Sequence, residues 1–277
     1  MKFRTLLSLA LLTSTCLGAD SSVPFKLYPD HLIVTKCSVG NTPDLTAMLD
    51  TGVSETVLDL ALTRRLSLPV NKGTDVALFL DHPSPVDTVL IPSIRLGPVQ
   101  AEDLPGIASD LSHSTGELGI RPDLIIGMDV LHRQSFEIDY KNRRLIFGAP
   151  LPMRWNAKLN GNTRFSTIDS VVMGKRLRLQ VDSGSTGLLI YGRRFGPITG
   201  TAAANRDPAV ASLKGTTQTI AVDSADIQVG NWHTSRGTVF FSGENSPVTD
   251  FDGVLGLWTL RPRRVAFDFL QMMLSWE

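Results

Sequence analysis

Short apolar or alternating stretches, each closed by glycine, proline, asparagine or aspartate, run through most of the chain. "HLIVTKCSVG" (31–40), "DTVLIPSIRLG" (87–97), "SFEIDY" (135–140), "RRLIFG" (143–148), "TQTIAV" (217–222) and "ADIQVG" (225–230) are examples. Runs of this length with a period near two, bounded by turn formers, predict strands. One helical pattern stands out, "TVLDLALTRRLSL" (56–68), where Val57, Leu60, Ala61, Leu66 and Leu68 share roughly one face. A short helical turn is expected after Gly127 and another after Gly256. The fold class predicted is all-β with one or a few short helices.

The pattern repeats. "MLDTGVSETVLD" (48–59) and "LQVDSGSTGLLIY" (179–191) each set an aspartate on a tight hydroxyl-glycine turn between apolar flanks, with Asp50 and Asp182 132 positions apart. One Asp-[Ser/Thr]-Gly arises by chance in about one chain in ten of this length, so the tripeptide alone says little. Other features recur at nearly the same offset, however. "SIRLG" (93–97) returns as "DIQVG" (226–230), and "DLIIGMDVLHRQSFEIDYKNRRLIF" (123–147) as "DGVLGLWTLRPRRVAFDFLQMMLSW" (252–276). Without a gap, Asp123, Gly127, Leu131, Asp139 and Leu145 meet Asp252, Gly256, Leu260, Asp268 and Leu274. Shared order at a near-constant offset argues for an internal duplication. Two β lobes related by a pseudo-twofold follow, residues 20–149 and 161–277, joined by a proline-containing connector at 150–160.

Composition narrows the partners. With 277 residues there is enough chain for two lobes that each bury a core. Basic and acidic residues number 27 each, which leaves no basic excess to bind nucleic acid. The first nineteen residues carry Lys2 and Arg4, an apolar run from Leu6 to Leu12, and small residues ending at Ala19. That is the layout of a signal peptide, and the apolar run is too short for a stable membrane span. A secreted or periplasmic protein is expected, with a lipid anchor at Cys16 the weaker alternative. After cleavage Cys37 is the only cysteine left, so no intrachain disulfide is expected.

A twofold axis between the lobes would bring the two aspartate turns face to face. Two carboxylates a few ångströms apart share one proton and titrate as a unit. The ionised member can then activate a water while the protonated member donates to a carbonyl oxygen. "MLDTGVSETVLDLALTRRLSLP" followed by "PDLIIGMDVL" resembles a retropepsin-like aspartic protease lobe, and "VDSGSTGLLI" followed by "FDGVLGLWTL" resembles a second. Together they are similar to a pepsin-like pair in one polypeptide. The resemblance implies an aspartic endopeptidase in which Asp50 and Asp182 form the catalytic dyad. It also implies that Thr51 and Ser183 cross-bond beneath the dyad, and that Gly52 and Gly184 permit the turns. Ile125, Ile126, Gly127 and Val254, Leu255, Gly256 would pack behind the loops. A peptide or protein substrate, no cofactor, no metal and a monomeric state complete that expectation.

The departures are specific. After the turn glycine the second lobe has Ser185, able to bond its aspartate, whereas the first has Val53. This predicts an asymmetric dyad, with Asp182 more readily ionised and the shared proton on Asp50. The arginine that follows the apolar-apolar-glycine of retroviral enzymes is replaced by Met128 and Leu257. "DVALFLDHPSPVDTVLIP" (75–92) is a candidate substrate-covering hairpin, and "ASLKGTTQTIAVDSADIQ" (211–228) a weaker one. A serine-protease reading with Ser183 as nucleophile leaves the first turn unexplained and finds no suitable histidine. The five histidines are scattered and there is no His-Glu-x-x-His. Asp139 and Asp268 read as hairpin corners and the four tryptophans as packing. The alternative from another class is an inactive lobe pair that binds a peptide or partner in its cleft.

Overall fold

The computed structural model describes residues 21–28, 31–79, 82–112, 119–161, 164–195, 204–212, 215–242 and 250–277. The expected leader at 1–19, with Cys16, lies outside them. The fold is all-β. In the first half eight strands run in the spatial order Lys26–Tyr28, Leu32–Val39, Thr42–Leu49, Leu124–Ile126, Val57–Asp59, Val99–Ser109, His82–Leu96, Val70–Phe79. In the second half the order is Trp155–Asn160, Thr167–Val172, Lys175–Asp182, Gly253–Gly256, Leu188–Tyr191, Trp232–Ser242, Gly215–Val229, Ala204–Ser212. Both runs have the same sense at every step. The strand that carries each aspartate lies parallel to the apolar-apolar-glycine strand, which lies antiparallel to the strand after the turn. An extra antiparallel pairing closes each run on itself, Leu32–Val39 with His82–Leu96 and Thr167–Val172 with Gly215–Val229.

The halves do not stop at a boundary. Phe136–Asp139 of the first pairs antiparallel with Arg264–Asp268 of the second, so three strands from each side make one sheet beneath both lobes. At this seam Phe136 lies opposite Phe267, their rings stacked at 4.9 Å between centroids, and both are fully buried. Each such side chain contributes about 2 kcal/mol of hydrophobic stabilisation. Beside them Arg264 grips the buried Glu137 with two hydrogen bonds of 2.7 and 2.8 Å. Trp276 is among the largest fully buried side chains, and Trp155, Trp232 and Trp258 pack at the margin of the same core.

Three local differences from the sequence pattern have plain causes. The helix expected over 56–68 is only Leu60–Arg65, because Val57–Asp59 are claimed by strands on both sides and Asp59 caps the helix at Ala61 N–H, 2.7 Å away. The expected connector at 150–160 is shorter than its prolines suggest. Trp155–Asn160 pairs with Met273–Trp276 and with Thr167–Val172, leaving 148–154 as the extended link. Both candidate covering hairpins form, joined through Phe79↔His82 and Ser212↔Gly215, with residues 80–81 and 213–214 at their tips outside the described residues.

The repeated aspartates outside the turns hold backbone. Asp123 accepts from Thr46 N–H at 2.8 Å and Asp252 from Arg178 N–H at 2.9 Å, equivalent positions in the two halves. Asp139 and Asp268 accept N–H groups at their hairpin corners. Cys37 is free and buried, and burial pushes its thiol up to about 12, which makes it a poor nucleophile. Among the described residues no helix is long and apolar enough to cross a membrane.

The recurring "x-Ile-x-[Leu/Val]-Gly" strand ends at Gly97 and Gly230, both left-handed at φ +57° and +54°. The two glycines dock on the shared sheet. A Cβ on Gly230 would lie 1.9 Å from the backbone oxygen of Asn156, and one on Gly97 would meet the end of the Val23 side chain. Gly230→Ala therefore combines left-handed strain with a backbone collision and is expected to destabilise by about 3 kcal/mol. In thermal unfolding this would lower Tm by about 10 °C, with a smaller loss for Gly97→Ala.

Candidate active site

Each aspartate sits where a strand gives way to a tight loop. Asp50 follows Thr42–Leu49 and donates its N–H to Ile126 O at 3.0 Å, and Asp182 ends its strand opposite Gly256. The loops then rest on the glycines of the two apolar-apolar-glycine strands. A Cβ on Gly127 would lie 2.8 Å from Val53 O, and one on Gly256 would lie 2.5 Å from Ser185 O. Any larger residue would push the loops off their supports. Ile125, Ile126 and Leu255 are fully buried behind them and Val254 nearly so. Met128 and Leu257 are buried as well, filling with apolar volume the positions where retroviral enzymes carry arginine.

Thr51 and Ser183 lock the loops to each other. Thr51 N–H donates to Ser183 Oγ at 3.0 Å and Ser183 N–H to Thr51 Oγ1 at 2.9 Å. Each hydroxyl in turn donates to the opposite strand, Thr51 Oγ1 to Val181 O at 3.0 Å and Ser183 Oγ to Leu49 O at 3.3 Å. Both residues are about 1% exposed, so these four bonds are made away from water, where an unpaired group would be expensive.

Above this lock the carboxyl groups of Asp50 and Asp182 hydrogen-bond to one another. Asp50 accepts from Gly52 N–H at 2.8 Å and Asp182 from Gly184 N–H at 2.6 Å. The glycines are needed for proximity. A Cβ on Gly52 would fall 2.6 Å from the carboxyl carbon of Asp182, and one on Gly184 would fall 2.9 Å from Asp50 Oδ2. Each half thus leaves empty the volume that the other's carboxylate needs. Both aspartates nonetheless keep partial contact with solvent.

Burial raises both carboxyl groups above their ordinary range. For Asp182 the Asp50 charge and the hydrogen bond between the two add to burial in opposing ionisation. The backbone N–H groups of Gly184 and Ser185 pull it partly back. Ser185 bonds the carboxylate through its backbone N–H, which any residue there would offer. Val53 packs into the apolar cluster of Leu32, Met48, Val57 and Ile125. Such a pair can hold one proton between two oxygens and give or take another at a water or carbonyl placed over it.

Two supporting groups escaped the sequence pattern. Asp129 accepts from both Thr56 N–H and Thr56 Oγ1, at 2.9 and 2.8 Å, and so ties the end of the first loop to the helical turn after Gly127. Gln180 crosses between halves, its side-chain amide donating to Gly52 O at 2.7 Å. The first was hidden because Asp129 and Thr56 are 73 positions apart, and the second because a lone glutamine in a strand reads as ordinary alternation. Among the described residues no group of three or more His, Cys, Asp or Glu is placed to hold a metal.

Residues 35–130 match the family of aspartyl proteases. That span holds the first turn and its "PDLIIGMDV" support. No curated protein matches the chain.

Two measurements probe the site's energetics. Thr51→Ala strands the buried Ser183 N–H and Val181 carbonyl and is expected to cost about 3 kcal/mol in urea unfolding, whereas Thr51→Ser retains most of the stability. A carboxyl raised in the fold favours the folded state while it is protonated. That contribution is lost as pH rises from the ordinary carboxylate range through the raised value. Asp182→Asn should therefore unfold at a higher temperature than the parent at neutral pH, with the gain vanishing below about pH 4.

Proposed function

We propose that the chain, whose residues 35–130 match the family of aspartyl proteases, is an aspartic endopeptidase whose water-activating dyad is Asp50 with Asp182. The observation that carries this reading is the direct hydrogen bond between two raised, solvent-touching carboxyl groups, one from each half. Retaining a like-charge pair costs stability, and a site that only bound a partner would have no use for it.

In the singly protonated pair, the ionised carboxylate takes a proton from a water held between the two. The water oxygen attacks the scissile carbonyl carbon, and the protonated carboxyl gives its proton to the carbonyl oxygen. A neutral tetrahedral diol results. The carboxyl that received the water's proton then passes it to the amide nitrogen, the C–N bond breaks, and the other carboxylate recovers a proton from the diol. Acid and amine products leave with the pair again holding one proton. The donors Gly52 and Gly184 and the hydroxyls of Thr51 and Ser183 keep the oxygens in register through both steps.

The leader-like residues 1–19 support a secreted or periplasmic setting. Two lobes within one chain supply both aspartates, so a monomer suffices. The matching strand order of the halves supports an origin by duplication.

Asp50→Asn and Asp182→Asn are each expected to lower cleavage of a peptide library by about a thousandfold or more. A parent protein that cleaves nothing between pH 3 and 8, or variants as active as the parent, would overturn the reading in favour of a binding role. The alkaline limb of the pH–rate profile should lie above the ordinary carboxylate range, and Ser185→Ala should leave the profile in place because the bond to Asp182 comes from backbone.

A further inference from the structure

Of the bonds that cross between the two halves of the site, the Thr51 and Ser183 bonds are reciprocal and that of Gln180 is not. Side chains alternate along the aspartate-bearing strands, so the residue two before each aspartate shares its face. In the first half this is Met48, which packs against Leu32, Val57 and Ile125. In the second it is Gln180, which is 5% exposed and bonds across the axis to Gly52 O. The equivalent carbonyl, that of Gly184, receives no hydrogen bond among the described residues, since the thioether of Met48 has no proton to donate.

These two carbonyls belong to the glycines that press against the opposite aspartates. An extended peptide laid over the dyad loses water from its N–H groups and must find acceptors for them. A symmetric site would offer one glycine carbonyl on each side of the scissile bond. Here one already accepts a hydrogen bond from within the protein and has only its second lone pair to offer.

Resting on the endopeptidase reading above, we propose that Gln180 is a specificity-determining residue that makes the site directional. By donating to Gly52 O, it competes there with a backbone N–H from the substrate, so that Gly184 O is the stronger acceptor of the two glycine carbonyls. The peptide is anchored through its main chain on the Gly184 side of the dyad. On the Gly52 side it is tolerant of a missing N–H, so residues without one, proline included, are accepted there at the position whose N–H faces the occupied carbonyl. Gln180 also spans the halves and holds the Gly52 loop in place, which fixes which side is closed.

The test uses two series of peptides methylated singly at each backbone nitrogen. One series is cleavable, and the other has the scissile amide replaced by a hydroxyethylene unit, so that affinity is read without turnover. With the full-length protein, methylation on one side of the scissile position is expected to weaken binding by about tenfold, and methylation at the mirror position by less than about twofold. Gln180→Met, which copies the first half, should make both positions sensitive, and Gln180→Glu should do so at a pH where the new carboxylate is ionised. Equal sensitivity on both sides in the parent protein would overturn the inference and leave peptide hydrolysis standing. That comparison needs no variant to fold. One-sided binding without cleavage of any peptide would uphold the inference and remove the endopeptidase reading. Failure to bind any hydroxyethylene peptide would overturn both.

Discussion

Everything at the site depends on four buried hydrogen bonds made by Thr51 and Ser183, two to each other and two to the opposite strands. Two acidic groups repel when both are charged and resist burial even when one is not, so nothing in the carboxyls themselves would hold two separate loops together. The hydroxyl residues beneath them do so, each serving as donor to one neighbour and acceptor from another. Because they are shielded from water, letting go would leave polar groups unpaired on both sides at once. The shared sheet, the glycine supports behind each loop and the seam of Phe136 on Phe267 serve to present these two residues to each other at the right height.

The same economy explains why the site is unfavourable for stability and still persists. Raised carboxyls mean that the fold works against its own charge at neutral pH. The surrounding core offsets this with large, fully buried side chains such as Trp276, Phe136, Phe241 and Phe267. A rigid frame keeps the two carboxyl groups together, since a looser one would let them separate and take up water individually.

How much of this could be read from residues alone depended on distance along the chain. The strand pattern and the paired turns were legible because turns, caps and alternation are local. The glycines at 52, 184, 127 and 256 were legible too, since no other residue allows such close approach. Where two long-range demands competed, the local signal lost. Val57–Asp59 reads as the start of a helix, but the neighbouring strands claim it, and residues 155–160 read as a link although both their edges are paired. Ser185 misled for a different reason. A side chain draws attention in a sequence, yet the backbone beside it makes the bond. Gln180 and Asp129 had no local signature at all, because their partners are set by tertiary approach.

The volume that Gly52 and Gly184 cede to the opposite carboxyl groups has a consequence for how such a chain can change over time. A substitution at 52 is felt by the carboxylate at 182, one at 184 by that at 50, and one at 51 by the amide at 183. Inheritance at these positions is therefore joint. The two halves are free to drift apart in loop length, surface charge and helix content, but along the axis each half is part of the other's environment, and a variant tolerated in one must already be compatible with the other. Position 180 shares in that constraint through its bond to Gly52 O, whereas Met48, at the matching place in the first half, packs within its own half.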